Sequence, residues 1–219
     1  MARTSMKAAA VDIGTNSMRL LIVHQIGEGI VELGRWQRVT GLGRGVDTSG
    51  LLSEEAIDRT LLALAEFGGR MEEEGVEKRR AVATSASRDA ANRQSFFDRA
   101  EIALGVRPEL LTGEEEARLA FAGATAGLSS PAPFVVVDIG GGSTEFVTGE
   151  GGRSFDIGSV RLTERVLGHR PAPSEELAAG RNLVAEVFSP VGPTPGTVVG
   201  VAGTWTSLAG IQYGDPGFT

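Results

Sequence analysis

Val11-Asp12-Ile13-Gly14-Thr15-Asn16-Ser17 and Val137-Asp138-Ile139-Gly140-Gly141-Gly142-Ser143 are two copies of one pattern. In each, an apolar run ends in Asp, then Gly and small polar residues follow. A second apolar run begins there, Met18 to Ile26 in the first copy and Thr144 to Thr148 in the second. This predicts a β-hairpin with a carboxylate at the strand end and a turn too small for bulky side chains. Backbone N–H groups in such turns converge on phosphate oxygens. A carboxylate beside them can hold hydrated Mg2+, which keeps most of its waters and takes only one or two protein oxygens. A single Asp-x-Gly turn is ordinary turn chemistry. Two copies in register point instead to a duplicated fold whose two phosphate-handling halves face one cleft.

The rest of the chain bounds what such halves can do. Its 219 residues accommodate two small domains, and a hydrophobic content of 41% with 22% charged residues is that of a folded globular chain. Asp12, Arg19 and Glu145 interrupt the best apolar runs, so none approaches the roughly 20 residues of a membrane-spanning helix. The N-terminus has no uninterrupted signal-peptide core. With no Cys at all, disulfides and thiolate metal sites are excluded, which fits a reducing cytoplasm; together with the interrupted apolar runs, the expectation is a cytoplasmic protein with no membrane partner. His24 and His169 are too few for a zinc cluster, so any metal is a hard ion held by oxygen. A net charge of −7 argues against a nucleic-acid surface but permits a local basic site for a small anion.

Lys7–Gly14, Met18–Ile26 and Ile30–Val39 read as three strands, and Gly41-Leu42-Gly43-Arg44-Gly45 opens a flexible loop. A helix runs from Ser53 to a stop at Gly75, with Ile57, Leu61, Leu64 and Met71 at helical spacing and Glu54 and Glu55 in the first turn. The spacing then predicts a strand over Arg79–Thr84, a helix over Arg88–Leu104, a strand over Arg107–Leu111 and a helix from Gly113 to Gly127. Strands alternating with helices imply an α/β fold with parallel pairings. Ser129-Ser130-Pro131-Ala132-Pro133 is the expected linker, dividing the chain into domains 1–128 and 134–219. The second half repeats the hairpin up to Ile157. It continues with helices at Val160–Leu167 and Ser174–Phe188, a strand at Thr197–Val201 and the turn Ala202-Gly203-Thr204.

These residues resemble the exopolyphosphatase and guanosine pentaphosphate phosphatase (Ppx/GppA) family of the actin-like ATPase superfamily. The resemblance runs from Ala9 to Ile211. It is carried by the two hairpins and by Ala83-Thr84-Ser85-Ala86-Ser87-Arg88-Asp89-Ala90, Gly113-Glu114-Glu115-Glu116-Ala117-Arg118, Gly158-Ser159-Val160-Arg161-Leu162-Thr163-Glu164 and Gly200 to Leu208. It implies an actin-like (ribonuclease H-like) duplicated fold with two domains around a cleft, the second domain cut short at its C-terminus. It also implies hydrolysis of a terminal phosphate from inorganic polyphosphate or guanosine pentaphosphate, with Mg2+ or Mn2+ and an attacking water. A homodimer and a place in the stringent response follow from the same resemblance.

Transfer of a phosphoryl group to water needs charge neutralisation, an aligned water and usually a carboxylate to orient or deprotonate it. Glu114-Glu115-Glu116 offers three carboxylates, although Glu in a first helical turn is favoured by the dipole in any protein. Thr112-Gly113-Glu114-Glu115 fits a capping box that turns Glu115 back onto Thr112. Glu116 is then the expected catalytic carboxylate, on one face with Ala120 and Gly123, and the resemblance lands on it too; Glu115 is the alternative.

Arg88 stands at the expected start of a helix, the unfavourable end for a cation, and a bound phosphate would resolve that conflict. Arg161, after Gly158-Ser159, is expected to be a second phosphate contact. Asp12, Asp138 and Glu145 are the metal candidates, Asp138 preferred because Glu145 lies on the same hairpin. Gly14, Thr15, Asn16, Ser17, Gly140, Gly141, Gly142, Ser143, Gly203 and Thr204 are expected to contact phosphate. Trp36 and Trp205 read as packing residues. Two rivals remain: a small-molecule kinase of the same superfamily, and a non-catalytic binder that holds phosphate without cleaving it.

Overall fold

The computed structural model describes residues 5–130, 132–193 and 196–215. It divides into two compact units, Met1–Leu111 and Thr112–Thr219.

In the first unit, β1 (Ser5–Ile13), β2 (Ser17–Ile26) and β3 (Gly29–Val39) form an antiparallel meander, followed by α1 (Val46–Ser49) and α2 (Glu54–Glu73). Next come β4 (Lys78–Ala83), α3 (Ser85–Asp89), α4 (Arg93–Leu104) and β5 (Glu109–Leu110). β4 lies parallel to β1 and β5 parallel to β4, giving the order β3-β2-β1-β4-β5. Alternation in β2 sends Met18, Leu20 and Ile22 fully inside. They share a core with Leu64, Phe67 and Met71 of α2 and Phe96 and Leu104 of α4. The Ser53 side chain caps α2 by accepting from the Ala56 N–H, and the chain leaves the helix through Gly75 at φ 64. Helices α2 and α4 meet at Gly68, where a Cβ would sit 2.9 Å from the Ala103 carbonyl oxygen.

The second unit repeats this plan. It opens with α5 (Gly113–Thr125) and the meander β6 (Phe134–Ile139), β7 (Thr144–Thr148) and β8 (Gly151–Phe155). There follow α6 (Ser159–Val166), α7 (Ser174–Phe188), β9 (Thr197–Val201) and α8 (Ala202–Tyr213). The order is β8-β7-β6-β9, with β9 parallel to β6 as β4 is to β1. Its buried apolar cluster is small, Ala117, Val136 and Val147 with Phe121, Ala124, Val199 and Val201 packed around it. Val198 of β9 is 60% exposed, and Leu208, Ile211 and Tyr213 of α8 are exposed as well. Among the described residues, no helix is long and apolar enough to cross a membrane.

Three expectations are corrected. First, the boundary between compact units falls at Leu111/Thr112, not at 129–133. Helix α5, grouped with the first half by sequence, buries Ala117 against Val147 of the second sheet. Second, the expected helix Arg88–Leu104 is two helices. The Asn92 side chain bonds both the N–H and the carbonyl of Leu52, and Ala91 N–H donates to Gly50, so long-range contacts hold residues 90–92 out of helical geometry. Third, the 41–45 stretch is not a free loop: the N–H groups of Thr40 and Gly41 donate to Asn16 O, and that of Gly43 to Thr15 O.

Candidate active site

Both Asp-x-Gly turns have one backbone geometry. Gly14 N–H donates to Ser17 O at 3.0 Å, and Gly140 N–H donates to Ser143 O at 3.0 Å. Each turn is fastened to its unit through its carbonyls. In the first, Thr15 O and Asn16 O accept from the 40–43 segment; in the second, Gly140 O accepts from Ser159, and Gly141 O from Val160 and Arg161. In a trans peptide the carbonyl of one residue and the N–H of the next point in opposite directions. Tying these carbonyls to the scaffold therefore turns the N–H groups of Asn16, Gly141 and Gly142 away from it. None of the described hydrogen bonds uses the N–H of Thr15, Asn16, Gly141 or Gly142. Neighbouring N–H groups presented in this way form an anion-binding nest.

The carboxylates differ between the two copies. Asp138 and Glu145 face each other directly on the β6–β7 ladder, as Asp12 and Arg19 do on β1–β2. Opposite like charges on a ladder are unfavourable, opposite unlike charges favourable. The three metal candidates thus separate: Asp12 sits across from Arg19, whereas Asp138 and Glu145 form an acidic pair on their ladder. Arg19, to which the sequence assigned no role, is revealed by that register and donates its Nε to Gln37 Oε1 at 3.2 Å. Glu145 is 1% exposed and accepts from Ser154 Oγ at 2.7 Å.

The acidic pair lies at the end of the face that α5 covers. Glu145 and Val147 alternate with Phe146, so they share a side of the sheet, and Val147 touches α5 through Ala117. Gly113, the first residue of α5, makes this approach close: a Cβ there would stand 2.7 Å from Ser154 Cβ. The start of α5, with its Glu run, is thereby anchored beside the Ser154–Glu145 pair. The capping box is present as expected: Glu115 Oε2 accepts from the Thr112 N–H and hydroxyl, both at 2.9 Å, and Thr112 Oγ1 accepts from Glu115 N–H. Glu116 follows on the half-buried side. Ala120 and Gly123 continue its face, and a Cβ on Gly123 would meet nothing within 4 Å. Thr112→Ala should cost about 1 kcal/mol of stability in urea unfolding. Glu115→Gln, which keeps the capping geometry, should change both stability and turnover little.

Arg88 is not at a helix start. It lies in the last turn of the five-residue α3, the favourable end for a cation, so the expected conflict with the helix dipole does not exist. Its Nη1 donates to Leu111 O at 2.9 Å. Arg161 is 8% exposed in the first turn of α6, where its own N–H helps clamp Gly141. The Thr204 hydroxyl donates to Ile139 O at 3.1 Å, tying α8 to the end of β6; Gly203 is the second residue of that helix. Ser143 is buried and Ser17 half-buried beneath their turns.

Sequence reasoning missed that residues 40–43 and 159–161 hold the two turns in place, and that Gly43 and Gly158 pack against them. Those glycines were the only signal. A cavity of about 370 Å³ lies on the other face of the second sheet, lined by Phe146, Arg153, Phe155 and Val191. No candidate residue lines it, so it has no part in this site.

Residues 21–213 match the model of the Ppx/GppA phosphatase family. The chain is 44% identical over 225 residues to exopolyphosphatase 2 of Mycobacterium tuberculosis, covering 94% of this chain and 70% of that protein. It superposes on the crystal structure of an exopolyphosphatase-like protein with a TM-score of 0.89 at 40% identity, covering 96% of this chain and 70% of that one. The Aquifex aeolicus member of the Ppx/GppA family superposes with a TM-score of 0.76 at 34% identity, over 99% of this chain and 72% of that one. These likenesses and the repeated sheet order make the fold a duplicated α/β fold of the actin-like type.

Proposed function

We propose, from the premise that this chain belongs to the Ppx/GppA phosphatase family, that it is a phosphohydrolase releasing terminal phosphate from inorganic polyphosphate, with guanosine pentaphosphate as a second substrate. The observation that carries the reading is the pair of matching turns, each tied down through its carbonyls so that N–H groups are presented to an anion. The acidic pair beside the start of α5 is what distinguishes the hydrolytic half.

In this reading the nests at Gly14–Ser17 and Gly140–Ser143 hold phosphate oxygens and spread the developing negative charge. Glu116 orients the attacking water and accepts its proton, while Glu115 stays in the capping box. Arg88 and Arg161 supply further positive charge near their respective turns. Asp138 and Glu145 offer the hard oxygen donors that Mg2+ or Mn2+ takes. Among the described residues no group of three or more His, Cys, Asp or Glu could hold a metal, so the fit is to an ion that uses one or two carboxylates and fills its shell with water and phosphate. When bound, such an ion would neutralise phosphate charge. Asp12, across from Arg19, is the weaker ligand of the three. A cytoplasmic location and a homodimer belong to the same proposal.

Phosphate release from short polyphosphate, long polyphosphate and guanosine pentaphosphate, with and without Mg2+, tests the reading. Chelator in excess should abolish release, and added Mg2+ or Mn2+ should restore it. Full turnover in chelator removes the metal from the proposal. Transfer of phosphate to an acceptor other than water marks a kinase, and tight binding without release marks a binder.

A further inference from the structure

We infer that Arg44 is a substrate-binding residue, taking a phosphate of the polyphosphate chain next to the one held at the Gly14–Ser17 turn; this rests on the phosphate reading of that turn. The segment carrying Arg44 is built onto the turn. Three N–H groups from residues 40–43 bond the Thr15 and Asn16 carbonyls, at 2.8 to 3.0 Å. Gly43 is pressed so closely that a Cβ would fall 2.4 Å from Thr15 Cγ2 and 2.8 Å from Ala86 Cβ. No larger residue brings the segment this near.

Arg44 folds back over the same segment. Its Nε lies 2.7 Å from where a Cβ on Gly41 would stand, and Gly41, at φ 61, is itself bonded to Asn16 O. The guanidinium is therefore carried over the strap that fastens the turn. It is exposed, and no described hydrogen bond or ion pair engages its side chain. Other arginines of this unit are neutralised within it: Arg38 and Arg70 share Glu66, Arg99 meets Glu54 and Asp58, and Arg107 meets Asp98 and Glu101. A cation left without a carboxylate beside an anion nest matches a ligand with more than one phosphate, since guanidinium binds phosphate in bidentate fashion.

The test compares the chain with Arg44→Gln and Arg44→Lys, using tripolyphosphate and long-chain polyphosphate as probes. Arg44→Gln should raise KM, and Kd by calorimetry, about tenfold for both probes while kcat stays within about twofold. Its melting temperature should not move, and Arg44→Lys should recover part of the affinity. Unchanged KM and Kd in Arg44→Gln, with an active parent chain, overturn the assignment alone. A fall in kcat and melting temperature together also overturns it, in favour of a structural role. A parent chain that neither binds nor cleaves either probe overturns the functional reading and this assignment with it.

Discussion

Glu116→Gln is expected to slow phosphate release about 100-fold or more, with substrate affinity kept within roughly twofold. The substitution retains size and hydrogen-bonding capacity but removes the basic oxygen to which the proposed mechanism gives the proton of water. The prediction is sharp because neighbouring groups fix the helix that carries Glu116. Thr112 and Glu115 close the capping box, Gly113 abuts Ser154, and Ala117 is buried against the second sheet. Gln at 116 therefore has no reason to shift the backbone, and lost turnover reports lost chemistry. Phosphate release and equilibrium binding, measured on Glu116→Gln and Glu115→Gln together, decide the assignment. An active Glu116→Gln beside a dead Glu115→Gln moves the base by one residue. Two unchanged variants discard the proposed mechanism.

Gly158→Ala should be nearly as damaging, although it changes no chemical group. A Cβ on Gly158 would stand 2.5 Å from the Gly141 carbonyl carbon and 2.7 Å from the Gly142 nitrogen. Both are backbone atoms of the second nest, so no rotamer change relieves the contact. The backbone at Gly158, φ −148 and ψ 177, is extended and open to any residue. The whole cost is therefore the collision. Overpacking of this kind costs about 2 kcal/mol, more than the roughly 0.4–1 kcal/mol that replacing Gly gains through the unfolded chain. Shifting the nest by about 1 Å should reduce turnover on the order of 100-fold. Gly69→Ala in α2, where a Cβ meets nothing within 4 Å, is the control and should gain about 0.8 kcal/mol. Turnover and urea unfolding check both. A Gly158→Ala protein with normal kcat would show that the nest tolerates displacement.

Much of this was legible along the chain because it depends on near neighbours. The strand from Met18 to Ile26, the helix that starts at Ser53, the Thr112–Glu115 box and helix α7 at Ser174–Phe188 all follow from short-range geometry. The repeat of Asp-x-Gly was visible for the same reason, and the two turns share their hydrogen bond. Arg88 shows where that reasoning fails. Its helix looked continuous by spacing, but Asn92 and Gly50, bonding across long stretches of sequence, break it. The split between units was hidden likewise. Pro and Ser content marks 129–133 as a linker, yet where a helix packs depends on which sheet buries its small residues.

By itself, the sequence determined the duplicated hairpins, the α/β alternation, the absence of Cys and the capping box that turns Glu115 back onto Thr112, since propensity, capping and turn chemistry act over a few residues. Only the tertiary structure decided which carbonyls fasten each turn, that Asp138 faces Glu145 while Asp12 faces Arg19, and that Gly43 and Gly158 press against the nests. These are contacts between segments remote in the chain, and their register and approach distances are fixed by packing, which no local pattern records.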